Sequence, residues 1–113
     1  MTYKPIIAVD FDGTLSLGAN YPCIGQPNQP LIDFLLTMQS KGFGVVLWTC
    51  REYQELDEAV DWCKSHGLEF DAVNENPSYV SFRSRKVVAE MYIDDRACDL
   101  NQVQVLYKEV QAL

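Results

Sequence analysis

The sequence is poor in the residues that most often build metal and redox sites in small domains. It has a single histidine, His66, and four cysteines at positions 23, 50, 63 and 98, no two of which have CxxC spacing. Because a zinc site usually combines several such ligands at short spacings, the sequence argues against one. We expect the cysteines to be reduced, as in a cytoplasmic protein.

Long apolar runs are also missing. The apolar run nearest the N-terminus covers only residues 6–9, which is too short for a signal peptide or a membrane-spanning helix. The sequence therefore predicts a cytoplasmic protein with no membrane partner. Its 113 residues are 48% hydrophobic and 12% aromatic, which predicts a single globular domain over 1–113 with little left for a second.

Positive charge is scarce, because nine basic residues stand against 16 acidic ones and the formal net charge is −7. An acidic surface repels nucleic acid and anionic lipid, which disfavours non-specific polyanion binding. A local positive pocket in such a protein suits a small or terminal phosphate. The basic residues in or beside the polar motifs described below are Arg51, Arg83, Arg85, Lys86 and Arg96.

Apolar runs alternate with helical periodicities along the chain. This alternation predicts an α/β fold: a three-layer, Rossmann-like arrangement with a mainly parallel central sheet and helices on both faces. The predicted strands are 6–9, 43–48, 72–73 and 91–93. The predicted helices are 31–41, 56–63 and 103–110, and the predicted loops include 16–30 and 74–81.

Three of the apolar runs end in polar residues. In an open parallel sheet the carboxyl ends of the strands lie along one edge, where ligands bind. We therefore expect residues that are distant in sequence to form one site there. The strand-end residues are Asp10 and Asp12, Thr49 and Arg51, and Asp94 and Asp95.

Clustered carboxylates at one edge would repel one another strongly. A hard divalent cation relieves this repulsion, and Mg²⁺ commonly binds through one or two carboxylates, waters and a substrate phosphate. Asp10 and Asp12 are two residues apart in extended chain, so both side chains lie on one side and suit a nucleophile and an acid/base group. The competing interpretation of these aspartates, and of Asp94 and Asp95, is turn formation or helix capping.

Phosphoryl transfer also requires donors around the phosphate oxygens. Thr49 offers a hydroxyl and a backbone N–H, and Lys86 offers a positive charge. Arginines can bind two phosphate oxygens at once through parallel hydrogen bonds. The alternatives are a helix cap for Thr49 and solvated or surface-paired positions for the basic residues. The predicted phosphate-binding residues are Thr14, Thr49, Arg51, Arg85 and Lys86.

In combination these residues match a known family. The segment Asp10-Phe11-Asp12-Gly13-Thr14 after a strand resembles the D-x-D-G-T signature of the haloacid dehalogenase superfamily. Thr49 is similar to that family's second-strand threonine or serine, Lys86 to its lysine, and Asp94-Asp95 to its acidic metal pair. The order agrees across essentially the whole chain, most closely with small capless members of bacteria and phages.

The resemblance implies a Mg²⁺-dependent phosphatase that acts through an aspartyl-phosphate on Asp10. Asp12 would act as acid/base and give the metal its backbone carbonyl, and an aspartate at that position favours phosphatases over dehalogenases. Thr49 and Lys86 would bind phosphate, and they count among the predicted catalytic residues. The implied metal ligands are Asp10, Asp12, Asp94 and Asp95.

No cap domain fits the segments between the motifs, and capless members tend to act on macromolecular ends or to oligomerise. The expected partner is thus a phosphorylated small molecule or a nucleic-acid or other macromolecular terminus, with a homo-oligomer as a further expectation. Segments 16–30 and 74–85 are predicted to flank the entrance. The alternatives from another class are a signalling domain that accepts a phosphoryl group and a non-catalytic binding module of the same α/β type.

Overall fold

The computed structural model describes residues 4–97 and 100–113. Within these residues, strands and helices alternate as the sequence predicts. The strands are β1 (Ile6–Val9), β2 (Ser16–Leu17), β3 (Gln26–Pro27), β4 (Gly44–Leu47), β5 (Ala72–Val73) and β6 (Met91–Ile93). The helices are α1 (Gln29–Ser40), α2 (Tyr53–Ser65) and α3 (Leu100–Gln111).

The central sheet has the order β5-β4-β1-β6, and all its pairs are parallel. Every residue of β1 and of β4 is buried, as expected for continuous apolar runs that are covered on both faces. The predicted α/β class and parallel sheet are confirmed. Strands β2 and β3 form a separate antiparallel pair inside segment 16–30, which the sequence predicted as loop.

Helices α1 and α2 pack on one face of this sheet. Asn28 caps α1, with its side-chain oxygen accepting the Leu31 N–H, and Pro30 lies in the first turn, where its missing N–H costs nothing. The buried core on this face is formed by Ile7, Val9, Phe11, Leu15, Ile32, Leu35, Val45, Leu47, Ala59, Cys63 and Leu68.

The opposite face is covered by irregular chain from segment 74–90. Ile6, Ala8 and Val46 pack there against Val87. The chain must run from β5 back across the sheet to β6, and a right-handed connection in that direction falls on the face opposite α1 and α2. Asn76 holds the segment together, since its amide donates to the carbonyls of Ser84 and Lys86 and its oxygen accepts the Val88 N–H.

The prediction of helices on both faces is therefore wrong for the part of the chain that the structure describes. The closing helix predicted over 103–110 does form as α3. However, its side chains at 102–105 and 107–111 are exposed, including the apolar Val103, Tyr107 and Val110. A helical pattern identifies a helix but does not by itself determine which surface it packs against. No helix among the described residues is long and apolar enough to cross a membrane.

Candidate metal centre

Strands β1 and β6 end side by side, and each delivers an aspartate. The Asp10 N–H donates to the Ile93 carbonyl at 2.9 Å, so the two strands stay paired up to the point where Asp10 and Asp94 emerge. Because the chain order reverses between β1 and β6, this is the position where open α/β sheets bind ligands. One carboxylate oxygen from each of Asp10, Asp94 and Asp95 lies within 4.8 Å of the other two.

The position of Asp10 in this acidic trio disfavours the ionised form of its carboxyl group. The pKa of Asp10 is raised from 3.8 to about 6, chiefly by burial and also by the charges of Asp94, Asp95 and Asp12, while the Phe11 N–H acts in the opposite direction. Among the residues that the structure describes, no ion pair includes Asp10, Asp94 or Asp95. Three such oxygen donors fit a hard divalent ion such as Mg²⁺, whose charge would offset their repulsion. The predicted grouping of Asp10 with Asp94 and Asp95 is thus present in the geometry.

The loop after β1 brings the backbone close to the trio. Phe11 is fully buried, and its carbonyl accepts N–H groups from Thr14, Leu15 and Ser16, which makes a tight turn. Gly13 lies in this turn with φ of 76°, a conformation that favours glycine. A Cβ at Gly13 would lie 2.3 Å from Oδ2 of Asp95, so the glycine is needed for space as well as for conformation.

Thr14 connects this loop to the acidic pair. Its hydroxyl oxygen accepts the Asp95 N–H at 3.2 Å, and its carbonyl accepts the side-chain amide of Asn28 at 2.9 Å. With only 6% of its surface exposed, Thr14 positions Asp95. This placement does not support its predicted role as a phosphate ligand.

Asp12 faces Arg51 and is not part of the trio. Nε and Nη2 of Arg51 donate to Oδ2 and Oδ1 of Asp12 at 2.8 and 2.7 Å, a bidentate ion pair. The side chain of Arg51 has no exposed surface, whereas that of Asp12 is 37% exposed. The hydrogen bond to Asp12 raises the pKa of Arg51. A fully buried guanidinium offers no surface to phosphate, so the predicted contact of Arg51 with phosphate is not supported. Because both carboxylate oxygens of Asp12 bind Arg51, its backbone carbonyl is the group that it has left for a metal ion.

Thr49 lies at the end of β4, but its backbone N–H is already used. It donates to Oδ1 of Asn74 at 2.8 Å, and the Thr49 hydroxyl oxygen accepts the Arg51 N–H at 3.2 Å. The hydroxyl proton of Thr49 is left to donate. Asn74 has a φ of 55°, which asparagine tolerates better than most residues. Asn74 is not among the site residues predicted from sequence, although its position directly after the 72–73 strand places it on the same sheet edge.

Lys86 and Arg85 lie on the irregular segment and do not contact the aspartates. Nζ of Lys86 is 5.2 Å from the centre of the Tyr92 ring, and the ion pairs found among the described residues do not include this lysine. Arg85 lines an open concavity of about 600 Å³. The other residues around it are Asn76, Pro77, Val80, Phe82, Arg83 and Ser84.

The chain is similar to a protein of known structure. No protein-family model matches the sequence, and no curated protein matches it. A solved structure of a conserved protein from Bacteroides thetaiotaomicron is similar, with 37% sequence identity and a TM-score of 0.73 over 95% of this chain and 92% of that one. Identity at this level over nearly the full length of both chains places this chain in the same family as that conserved Bacteroides thetaiotaomicron protein.

Proposed function

We propose that this protein is a Mg²⁺-dependent phosphomonoesterase of the haloacid dehalogenase type, with Asp10 as nucleophile. The observation that carries the proposal is the acidic trio, in which a half-buried carboxylate with a raised pKa lies within 4.8 Å of two others where the chain order reverses. Perturbed groups gathered in this way are typical of functional sites.

Asp10 and Asp12 would have different roles in the reaction. A carboxylate oxygen of Asp10 attacks phosphorus, the bond to the leaving oxygen breaks, and Asp12 gives that oxygen a proton. Water then attacks the aspartyl-phosphate and passes a proton to Asp12, which releases inorganic phosphate and restores Asp10. Bound Mg²⁺, held by Asp10, Asp94, Asp95 and the Asp12 carbonyl, would offset the negative charge that the phosphate brings.

The remaining predicted groups would bind the substrate. The Thr49 hydroxyl has a proton to donate at the sheet edge, which supports its role as a phosphate ligand. Lys86 and Arg85 would supply positive charge from segment 74–90, and the concavity lined by Arg83, Arg85 and Phe82 would receive the rest of the molecule. A phosphorylated small molecule and a phosphorylated macromolecular terminus both fit a site with no cap.

The direct test is turnover of p-nitrophenyl phosphate with Mg²⁺ and with EDTA, followed by a panel of nucleotides, sugar phosphates and phosphorylated oligonucleotides. Asp10→Asn should lower turnover by at least about a thousandfold, as expected for loss of a nucleophile. Asp61→Asn, on the exposed face of α2, is the matched control and should retain full activity. A purified protein that turns over nothing in this panel would overturn the proposal.

A second candidate function is that of a phosphoryl-accepting domain. The Arg51–Asp12 ion pair favours it, because each Asp12 oxygen already accepts a hydrogen bond from the guanidinium and has less capacity left to bind a water molecule. Incubation with acetyl phosphate and Mg²⁺ separates the two. A phosphatase releases inorganic phosphate in repeated turnovers, whereas an acceptor domain accumulates one phosphoryl group on Asp10 that survives for minutes. Binding of Mg²⁺ and a phosphate mimic with neither result would indicate a non-catalytic module.

A further inference from the structure

We propose that Arg51 is a positioning residue, which fixes the direction of the Asp12 carboxylate for the reaction at Asp10. This inference rests on the proposed phosphatase function. Arg51 is 39 residues from Asp12 in sequence and follows a different strand, so only the folded chain brings them together. It does not contact Asp10 in the hydrogen bonds and ion pairs of the described residues, and any effect on the reaction passes through Asp12.

Arg51 and Asp12 form a bidentate pair. Two parallel N–H donors of one rigid, planar group meet the two oxygens of one carboxylate at 2.8 and 2.7 Å. This arrangement determines both the position of the Asp12 side chain and its rotation, which a single hydrogen bond would leave free. The guanidinium is fully buried behind Asp12, so the exposed 37% of Asp12 is the side that a substrate or water can reach.

Arg51 is itself held by three backbone carbonyls. Nη1 donates to the Glu55 carbonyl at 3.2 Å, and Nη2 donates to the Pro22 and Cys23 carbonyls at 3.1 and 3.4 Å. The guanidinium carbon lies 4.8 Å from the centre of the Phe11 ring and 5.1 Å from that of Tyr21. An arginine held in this way cannot follow a moving carboxylate, and it is therefore a fixed anchor for Asp12.

A buried guanidinium is strongly unfavourable unless its donors are paired, and Asp12 is its only carboxylate partner among the described residues. An apolar side chain of similar volume would fill this core position without the free-energy cost of burying a charge. The presence of a charged residue here is explained if the function of Arg51 is to hold Asp12 in place.

The experiment compares steady-state kinetics of wild type, Arg51→Lys, Arg51→Met, Asp12→Asn and the double variant Asp12→Asn with Arg51→Lys. We expect both Arg51 variants to lower kcat by about 10- to 1,000-fold, within the range for displacement of an acid/base group, and Arg51→Lys to retain more activity than Arg51→Met. KM and the Mg²⁺ concentration for half activation should change less than about twofold. The double variant should be no slower than Asp12→Asn, because Arg51 acts only through Asp12.

Three kinetic results would overturn the inference. They are an unchanged kcat in a folded Arg51→Lys protein, losses that multiply in the double variant, and a higher kcat on removal of the arginine, which would make Arg51 a restraint on Asp12. A control on the underlying proposal is Asp10→Asn. If that variant keeps full activity, the proposed function fails whatever Arg51 does, whereas an inactive Asp10→Asn with a fully active Arg51→Lys contradicts only the positioning role.

A spectroscopic measurement keeps the inference testable if the Arg51 variants do not fold. In ¹⁵N NMR spectra of the wild type, the Arg51 Nε–H should exchange slowly with solvent, because this group is buried and hydrogen-bonded. Asp12→Asn removes the charge of its acceptor and should shift that resonance and speed its exchange. A resonance that is insensitive to Asp12→Asn would contradict the pairing, independently of any catalytic activity.

Discussion

The position that a Cβ of residue 13 would occupy lies 2.3 Å from Oδ2 and 3.0 Å from Cγ of Asp95. Gly13 and Asp95 belong to the two loops that follow β1 and β6, and the Asp95 N–H is bound to Thr14 of the first loop. The glycine loop and Asp95 are therefore in close contact, through packing at Gly13 and through a hydrogen bond at Thr14.

Replacement of Gly13 by alanine should displace the Asp95 carboxylate. We expect Gly13→Ala to abolish the stabilisation by Mg²⁺ that the acidic trio predicts, measured as the shift in Tm with added Mg²⁺. Gly18→Ala is the matched control, because Gly18 has a similar φ of 79° but no atom within 4 Å of its added Cβ. Both variants carry a backbone penalty of about 1–2 kcal/mol, and only Gly13→Ala should lose the response to Mg²⁺. Equal responses to Mg²⁺ in the two variants would contradict the prediction.

Asp10→Asn should stabilise the metal-free protein while removing its response to Mg²⁺. The folded-state pKa of Asp10 is raised from 3.8 to about 6, so its ionisation costs stability as the pH rises through this range. At about pH 8 in EDTA we expect the variant to be more stable on the order of 1 kcal/mol, after a discount for the half-exposed position. The measurement is urea unfolding at about pH 4 and pH 8. If Asp10→Asn is less stable than wild type at the higher pH, the ionised Asp10 carboxylate does not destabilise the metal-free protein and the prediction is wrong.

Asn74 should affect activity through Thr49. Asn74→Gly keeps the backbone conformation accessible but removes the acceptor of the Thr49 N–H, so we expect kcat/KM for an aryl phosphate to fall by about 10-fold, the value of one hydrogen bond to a positioned group. Asn20→Gly, in an exposed part of segment 16–30, is the control and should leave the kinetics unchanged. Unaltered kinetics in Asn74→Gly would mean that Thr49 holds its place without Asn74.

A polar cluster at the other edge of the sheet should make stability depend on pH. Burial alone would raise the pKa of Asp71, but bonds from Lys4, the Val45 N–H and Tyr79 bring it below its usual value of 3.8. Burial and the bond to Asp71 raise the pKa of Tyr79 well above 10. Stability from Asp71 is therefore present above pH 3.8 and lost as the pH falls further, and stability from Tyr79 is lost as the pH rises above 10.

The test of this cluster is the pH dependence of unfolding free energy in Asp71→Asn and Tyr79→Phe. At neutral pH we expect Asp71→Asn to cost about 1–2 kcal/mol, since it breaks the 2.9 Å ion pair with Lys4, and the difference from wild type should shrink below about pH 4. Tyr79→Phe should remove the part of the alkaline loss that Tyr79 causes. Asp57→Asn, which is exposed on α2, should behave as wild type at every pH.

The acidic trio could be predicted from sequence because each member follows a short apolar strand. A run such as 6–9 or 91–93 is recognisable locally, and parallel pairing then brings Asp10 and Asp94 to one edge whatever the rest of the chain does. The roles of Lys86 and Arg85 stay predictions, because both lie on irregular chain whose path no periodicity describes.

The sequence by itself determined the order of the helices and of the strands in the central sheet, the parallel pairing and the edge at which Asp10, Asp94 and Asp95 meet, since these follow from strand composition and chain direction. The tertiary structure alone decided that Arg51 binds Asp12 and that Asn74 binds Thr49. It also decided that irregular chain covers the second sheet face. Side-chain pairing depends on which rotamer points toward which neighbour across many intervening residues, and local patterns carry no information about that. The trio that identifies the site is thus predictable from sequence, whereas the group that holds Asp12 beside it is a product of the fold.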